Sequence, residues 1–174
     1  MLRPLMLEYP DDPVAVTIDD EYLLGSDLLI APIFDDSRDP VQRRIYLPGD
    51  EWYDFWNDRW LAGGYYITYT APLDMLPLFV RAGAILPLGP ECASIGDTIP
   101  DDITLEAYGD FPEGSALFWS EDEPPTLFSM GMREKKWSLV ISGQHEASWH
   151  VRWHTSERIS EHDPIRCASA TLEL

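Results

Sequence analysis

Turn-forming residues recur so often along this chain that its apolar runs are too short for ordinary helices, and that spacing confines it to short strands. Leu28–Ile33 is a continuous apolar run of the kind that makes a strand buried on both faces. Gln42, Arg44 and Tyr46 then alternate with Arg43, Ile45 and Leu47 up to a Pro48-Gly49-Asp50 turn. The same alternation puts Trp52, Asp54 and Trp56 on one face and Tyr53 and Phe55 on the other, with Asn57-Asp58 making the next turn. Gly63-Gly64 precedes the β-branched and aromatic run Tyr65–Thr70, and Leu78–Val80 and Ala84–Leu86 flank a tight turn at Ala82-Gly83, where Gly83 supplies a positive φ. Six short strands within about sixty residues predict an antiparallel β-sandwich.

On the N-terminal side, Tyr9-Pro10-Asp11-Asp12-Pro13 breaks the chain, and Asp19 or Asp20 can cap one helical turn through Tyr22, Leu23 and Leu24 that Gly25 would end. On the C-terminal side, the stretch from Pro87 to Asp102, with Gly89, Pro90, Gly96 and Pro100, marks a boundary between two modules. The second module also reads as β, with strands at Ile103–Tyr108, Ala116–Ser120, Lys136–Ile141 and Ser148–Thr155. Turns fall at Gly109-Asp110, Pro124-Pro125 and Ser142-Gly143, and at most one further strand lies between Pro164 and Leu174.

Size and charge narrow the function. A catalytic (β/α)8 barrel needs about 250 residues, and this chain has 174. Thirty-one acidic against 12 basic residues give a formal charge of -19, which repels nucleic acid and anionic membrane surfaces alike. The acidic residues come in short clusters such as Asp19-Asp20-Glu21 and Glu121-Asp122-Glu123, as solvated loops do. Cys92 and Cys167 form neither a CxxC pair nor a disulfide framework. No stretch approaches the ~20 apolar residues that span a bilayer, and Met1-Leu2-Arg3-Pro4 does not read as a signal peptide, so a cytoplasmic location is expected.

Few side chains point to chemistry. A Trp52/Trp56 face could stack on a sugar ring, although large aromatics more often fill a core or an interface; these two are the candidate substrate-binding residues. With Trp60, Tyr65 and Tyr66 they motivate a second reading, a stand-alone carbohydrate-binding or protein-interaction module. Arg81 reads as the partner of an acidic neighbour. His150 and His154 are four residues apart on a predicted strand, roughly 13 Å, too far to share a zinc. Asp35, Ser37 and Asp39 have calcium-like spacing, but Pro40 stands where the loop needs glycine and Tyr46 where it needs glutamate. No metal, cofactor or catalytic residue is assigned.

The order of phrases carries a resemblance. Met1-Leu2-Arg3-Pro4-Leu5-Met6-Leu7-Glu8-Tyr9-Pro10-Asp11-Asp12 is followed by Asp20–Gly25, Leu28–Ile33, Ile45-Tyr46-Leu47-Pro48, Trp52–Trp56 and Ala71–Pro87. Together these resemble glycoside hydrolase family 31, the retaining α-glucosidases and α-xylosidases, across the end of the catalytic barrel and the proximal C-terminal sandwich. The resemblance implies a barrel remnant at 1–26, a proximal sandwich at 27–95 and a distal sandwich, complete or incomplete, at 96–174. Residues Thr104 to Thr126 resemble the distal domain's first strands, without its usual glycine, since Pro124 follows Glu123. The sole Asp-Met, Asp74-Met75, sits in the sandwich phrase and is not the family's nucleophile. The resemblance therefore implies a supporting fragment of an α-glycosidase of carbohydrate metabolism whose partner is the parent's catalytic barrel. It further implies that Leu2, Leu5 and Leu7 are built to pack on that barrel and promote self-association when exposed. The N-terminal phrase is slightly closer to α-xylosidases.

Overall fold

A computed structural model describes residues 1–34, 41–72, 74–91, 101–110, 114–119, 124–133 and 136–173. The chain is mostly β and divides into two compact units, Met1–Ala82 and Gly83–Leu174. The module boundary expected at residues 95/96 lies outside the described residues.

In the first unit, β1 (Leu2–Pro4) runs into a one-turn helix α1 (Leu5–Glu8), and a 3-10 turn follows at Ala15–Thr17. Next come β2 (Tyr22–Leu24), β3 (Leu28–Ile30), β4 (Val41–Leu47), β5 (Glu51–Asp54), β6 (Arg59–Ala62), β7 (Tyr65–Ala71) and β8 (Leu78–Arg81). Six of these form an antiparallel sheet in the order β1-β2-β3-β8-β5-β6, and β4 pairs with β7 in a second, two-stranded sheet. Leu23, Leu29, Trp52 and Phe79 from the first sheet share one core with Ile45, Leu47, Tyr69 and Ala71 from the second, giving two layers with apolar inner faces.

Two expectations fail here. The helical turn expected at Tyr22–Leu24 is strand β2, because Leu28–Ile30 offers it a full ladder with Tyr22 opposite Ile30 and Leu24 opposite Leu28. Gly25 does take a left-handed φ of 70°, but it turns a three-residue hairpin loop and ends no helix. Residues 1–26 hold no parallel barrel strand: β1 and β2 are the outer strands of the antiparallel sheet, with Leu5 and Leu23 fully buried in this unit's own core.

The layers are tied by a buried carboxylate. Asp54, at the end of β5, has no solvent exposure. It accepts hydrogen bonds from the Tyr69 hydroxyl of β7 (2.9 Å), Asn57 Nδ2 (2.9 Å) and Arg59 Nε (3.1 Å). These donors offset the desolvation of the charge and bend the chain through residues 55–58.

In the second unit the strands are β9 (Ile85–Leu88), β10 (Asp102–Tyr108), β11 (Gly114–Phe118), β12 (Thr126–Arg133), β13 (Lys136–His154) and β14 (Ile159–Glu173). Leu78–Val80 and Ala84–Leu86 were expected to flank one turn, and Gly83 there has φ 87°. They do not pair with each other, since β8 lies between β3 and β5 and β9 pairs with β10. The two strands expected at Lys136–Ile141 and Ser148–Thr155 are one strand, β13, running through Ser142-Gly143 with a register shift between Ser142 and Ala147. β14 lies along one edge of β13; on the other edge β12 takes the first half and β10, in parallel, the second. All six strands therefore join one mixed sheet around a single core, where antiparallel sandwich layers were expected. Trp149 sits in that core with Phe128 at 5.1 Å and Phe118 at 5.9 Å, both edge-on, and its indole donates to the Cys167 carbonyl (2.9 Å).

If Asp54 ties the layers, Tyr69→Phe removes one of its donors and lowers unfolding stability by about 2 kcal/mol. Urea unfolding should show a lower midpoint at unchanged slope, and a midpoint equal to wild type would refute the role.

Candidate functional site

The aromatic pair singled out from sequence is separated by the fold. Trp52 is completely buried and its indole donates to the Pro48 carbonyl (3.0 Å). Trp56 lies past the end of β5, is 47% exposed and donates to the Leu76 carbonyl (2.6 Å). The two do not share a face, because the strand ends at Asp54. Trp60 packs edge-on against Tyr53 at 5.2 Å. Tyr66 is half-exposed and lies between the Tyr46 ring at 5.1 Å and the Arg44 guanidinium at 4.2 Å.

Arg81 is committed to structure. Its guanidinium donates to the Tyr9 hydroxyl, pairs with Glu8 (3.6 Å) and Asp50 (3.4 Å), and lies over the rings of Tyr9 and Trp52. Tyr9 in turn donates to Asp50 (2.6 Å), and burial, reinforced by Asp50, pushes its phenol well above its ordinary value. Tyr46 donates to Asp12 (2.7 Å) and is pushed up to about 12 by burial and that carboxylate. Burial would raise Asp12, but the hydrogen bonds from Tyr46, Ala15 and Val14 hold it below its ordinary range.

Glu21 is the most perturbed carboxylate that the structure describes. Its side chain is 1% exposed; Oε1 accepts the Tyr46 N–H (2.9 Å) with Arg43 Nη2 at 3.7 Å, and Arg43 also holds Asp20 (2.8 Å) and the Pro32 carbonyl. Burial pushes Glu21 up to about 7, against the pull of Tyr46 and Arg43.

Around these networks lies an exposed apolar surface. Leu2 of β1 stands directly opposite Leu24 of β2, and both are exposed, as are Met6 and Leu7 of α1 and Val16 of the 3-10 turn. Leu7 is 67% exposed. Leu5, expected to join this surface, is instead core.

In the second unit a polar ladder runs along the outer side of β10, β13 and β14. Trp149, Val151 and Trp153 point into the core, so His150, Arg152 and His154 point away from it. Arg152 bridges Glu106 (2.7 Å) and Glu161 (2.9 Å), His150 meets Asp102 (2.5 Å), and His154 meets the buried Glu106 while stacking on Tyr108. An open depression of about 100 Å³ is lined by Thr104, His150, Val151, Arg152, Glu161 and His162. His150 and His154 each have their own carboxylate, and among the described residues no three His, Cys, Asp or Glu side chains converge as metal ligands. Asp35, Ser37 and Asp39 lie outside the described residues. Sequence reasoning missed this ladder, although the Trp-His-Val-Arg-Trp-His alternation from 149 to 154 announces a two-faced strand.

Residues 1–86 match the model of the glycosyl hydrolase family 31 C-terminal domain. They belong to that family. Family 31 relatives include an isomaltosyltransferase of Sporosarcina globispora, 36% identical over 70% of this chain and 11% of the relative. An alpha-xylosidase of Saccharolobus solfataricus is 37% identical over 62% of this chain and 15% of the relative. The crystal structure of the family 31 alpha-xylosidase from Xanthomonas citri superposes on 99% of this chain and 21% of that one, with TM-score 0.80 and 25% identity. The chain thus spans between 11% and 15% of the length of these two curated relatives.

Glu21 gives a pH test. Its folded value near 7 lies above the ordinary 4.5, so the folded chain keeps a proton that the unfolded chain releases. Stability from this site is complete below pH 4.5 and is lost as pH rises toward 7. Glu21→Gln keeps an acceptor for Tyr46 and carries no charge. Between those pH values wild type should lose about 3 kcal/mol relative to the variant in urea unfolding; parallel pH profiles would overturn the assignment.

Proposed function

We propose that this chain is the supporting C-terminal β-region of a retaining α-glycosidase, or of a related enzyme that transfers α-linked sugars, and that it is not catalytic on its own. The observation that carries the reading is the exposed apolar surface of Leu2, Met6, Leu7, Val16 and Leu24, all within the residues that match the family 31 domain. An apolar patch of this kind on a highly charged chain is built to be covered, and the proposed cover is the catalytic (β/α)8 barrel.

Retaining hydrolysis needs a nucleophilic carboxylate and an acid/base carboxyl about 5 to 5.5 Å apart. In this reading the barrel supplies both. The carboxylates of the chain's own networks hold structure: Asp54 ends a strand, Asp50 and Glu8 hold Arg81, and Glu106 holds Arg152. The substrate class is α-linked glucose or xylose, supported by the printed activities of the relatives.

Two measurements test this. The purified chain should show no turnover of p-nitrophenyl α-glucoside or α-xyloside above a heat-killed control. It should also form a complex, seen by analytical ultracentrifugation, with a separately expressed family 31 barrel that lacks its own C-terminal domains. Leu7→Asp with Leu24→Asp, both at exposed positions, should weaken that complex by roughly tenfold or more while leaving circular dichroism unchanged. Turnover by the chain alone, or a complex indifferent to both substitutions, would refute the proposal.

A further inference from the structure

We infer that the outer face of the β11–β12–β13–β14 sheet binds a neutral oligosaccharide, with Trp119 as the stacking platform. In β11 and β12 the side chains of Ala116, Phe118, Phe128 and Met130 belong to the core, as do Leu139 and Ile141 in β13. Their alternating neighbours therefore face outward. Register then aligns these neighbours into two rows across four strands. One row is Ser115, Ser129, Val140 and Thr171; the next is Leu117, Leu127, Ser142 and Ser169. The rows lie roughly 7 Å apart along the strands and reach about 14 Å across them.

Neither row contains an ionisable side chain, on a chain whose formal charge is -19. An anionic ligand would be repelled by the chain, and a cationic one would find its counter-charges elsewhere. The face is electrostatically matched to a neutral partner.

Its chemistry is also specific. Five of the eight row residues are Ser or Thr, set beside the cross-strand pair Leu117 and Leu127. The outward alternation of β11 continues one step past the strand to Trp119, which is 67% exposed. A pyranose ring has an apolar C–H face and a rim of hydroxyls. An indole beside two leucines takes the first, and a field of Ser and Thr side chains faces the second. Ser169 is oriented already, since its hydroxyl donates to the Gly143 carbonyl and accepts the Gly143 N–H, both at 3.2 Å. A protein partner would call for a larger unbroken apolar area than three aliphatic residues and one indole supply.

This site is separate from the supporting role proposed above, and only the choice of probes draws on it. Isothermal titration of the whole chain with malto-, isomalto- and xylo-oligosaccharides at millimolar concentration should show binding to at least one series. Trp119→Ala should weaken it roughly tenfold, Trp119→Phe should largely restore it, and Trp56→Ala should leave it unchanged. No binding by wild type, or binding untouched by Trp119→Ala, would overturn the inference. So would self-association that Leu117→Ser abolishes in the absence of any sugar binding, which would make the face an interface between copies. Because the readout is binding, it fails or succeeds independently of the barrel-complex experiment.

Discussion

A carboxylate without access to water must be surrounded by donors, and Asp54 fixes the geometry of the first unit by that requirement. It lies in the six-stranded sheet and takes a donor from Tyr69 of the two-stranded one, so a single charge ties two layers that apolar contact alone would let slide. The same carboxylate gathers Asn57 and Arg59, which ends β5 and turns the chain. Trp52, before the turn, is thereby a core residue, and Trp56, beyond it, is a surface one.

Much of this was legible in the residues because turn chemistry is local. Pro48-Gly49-Asp50, Asn57-Asp58 and Gly63-Gly64 separate the strands where expected. The phrases from Met1 to Leu86 that resemble family 31 fall where the family model matches. Asp19-Asp20 followed by Gly25 was ambiguous, since a cap and a left-handed glycine serve a short helix and a hairpin equally well. The deciding factor was the ladder that Leu28–Ile30 offers across a three-residue loop. Ser142-Gly143 was misread for the converse reason: a turn-forming dipeptide was held in extended structure by neighbours on both edges of β13.

The candidate sites were less visible. Reading Trp52 and Trp56 as one face assumed that alternation persists, and a buried acid stopped it. The apolar surface was anticipated at Leu2, Leu5 and Leu7; Leu2 and Leu7 are exposed, whereas a one-turn helix directs the Leu5 side chain inward. The chargeless rows of the second unit could not be read at all without register, because their eight members come from four strands spread over more than fifty positions.

The division of one edge of β13 between β12 and β10 has a kinetic side. β10 meets β13 in parallel, Asp102 opposite Ser148 and Tyr108 opposite His154, so this ladder closes only when distant parts of the chain come together. During synthesis β10 emerges with one edge unclaimed, and that edge stays open to stray pairing until residues 148–154 leave the ribosome. The first unit waits in the same way, since β3 pairs with β8 and Leu28 stands opposite Val80. Growth temperature and translation rate therefore bear on the yield of both units, each of which holds one strand edge open for about fifty positions.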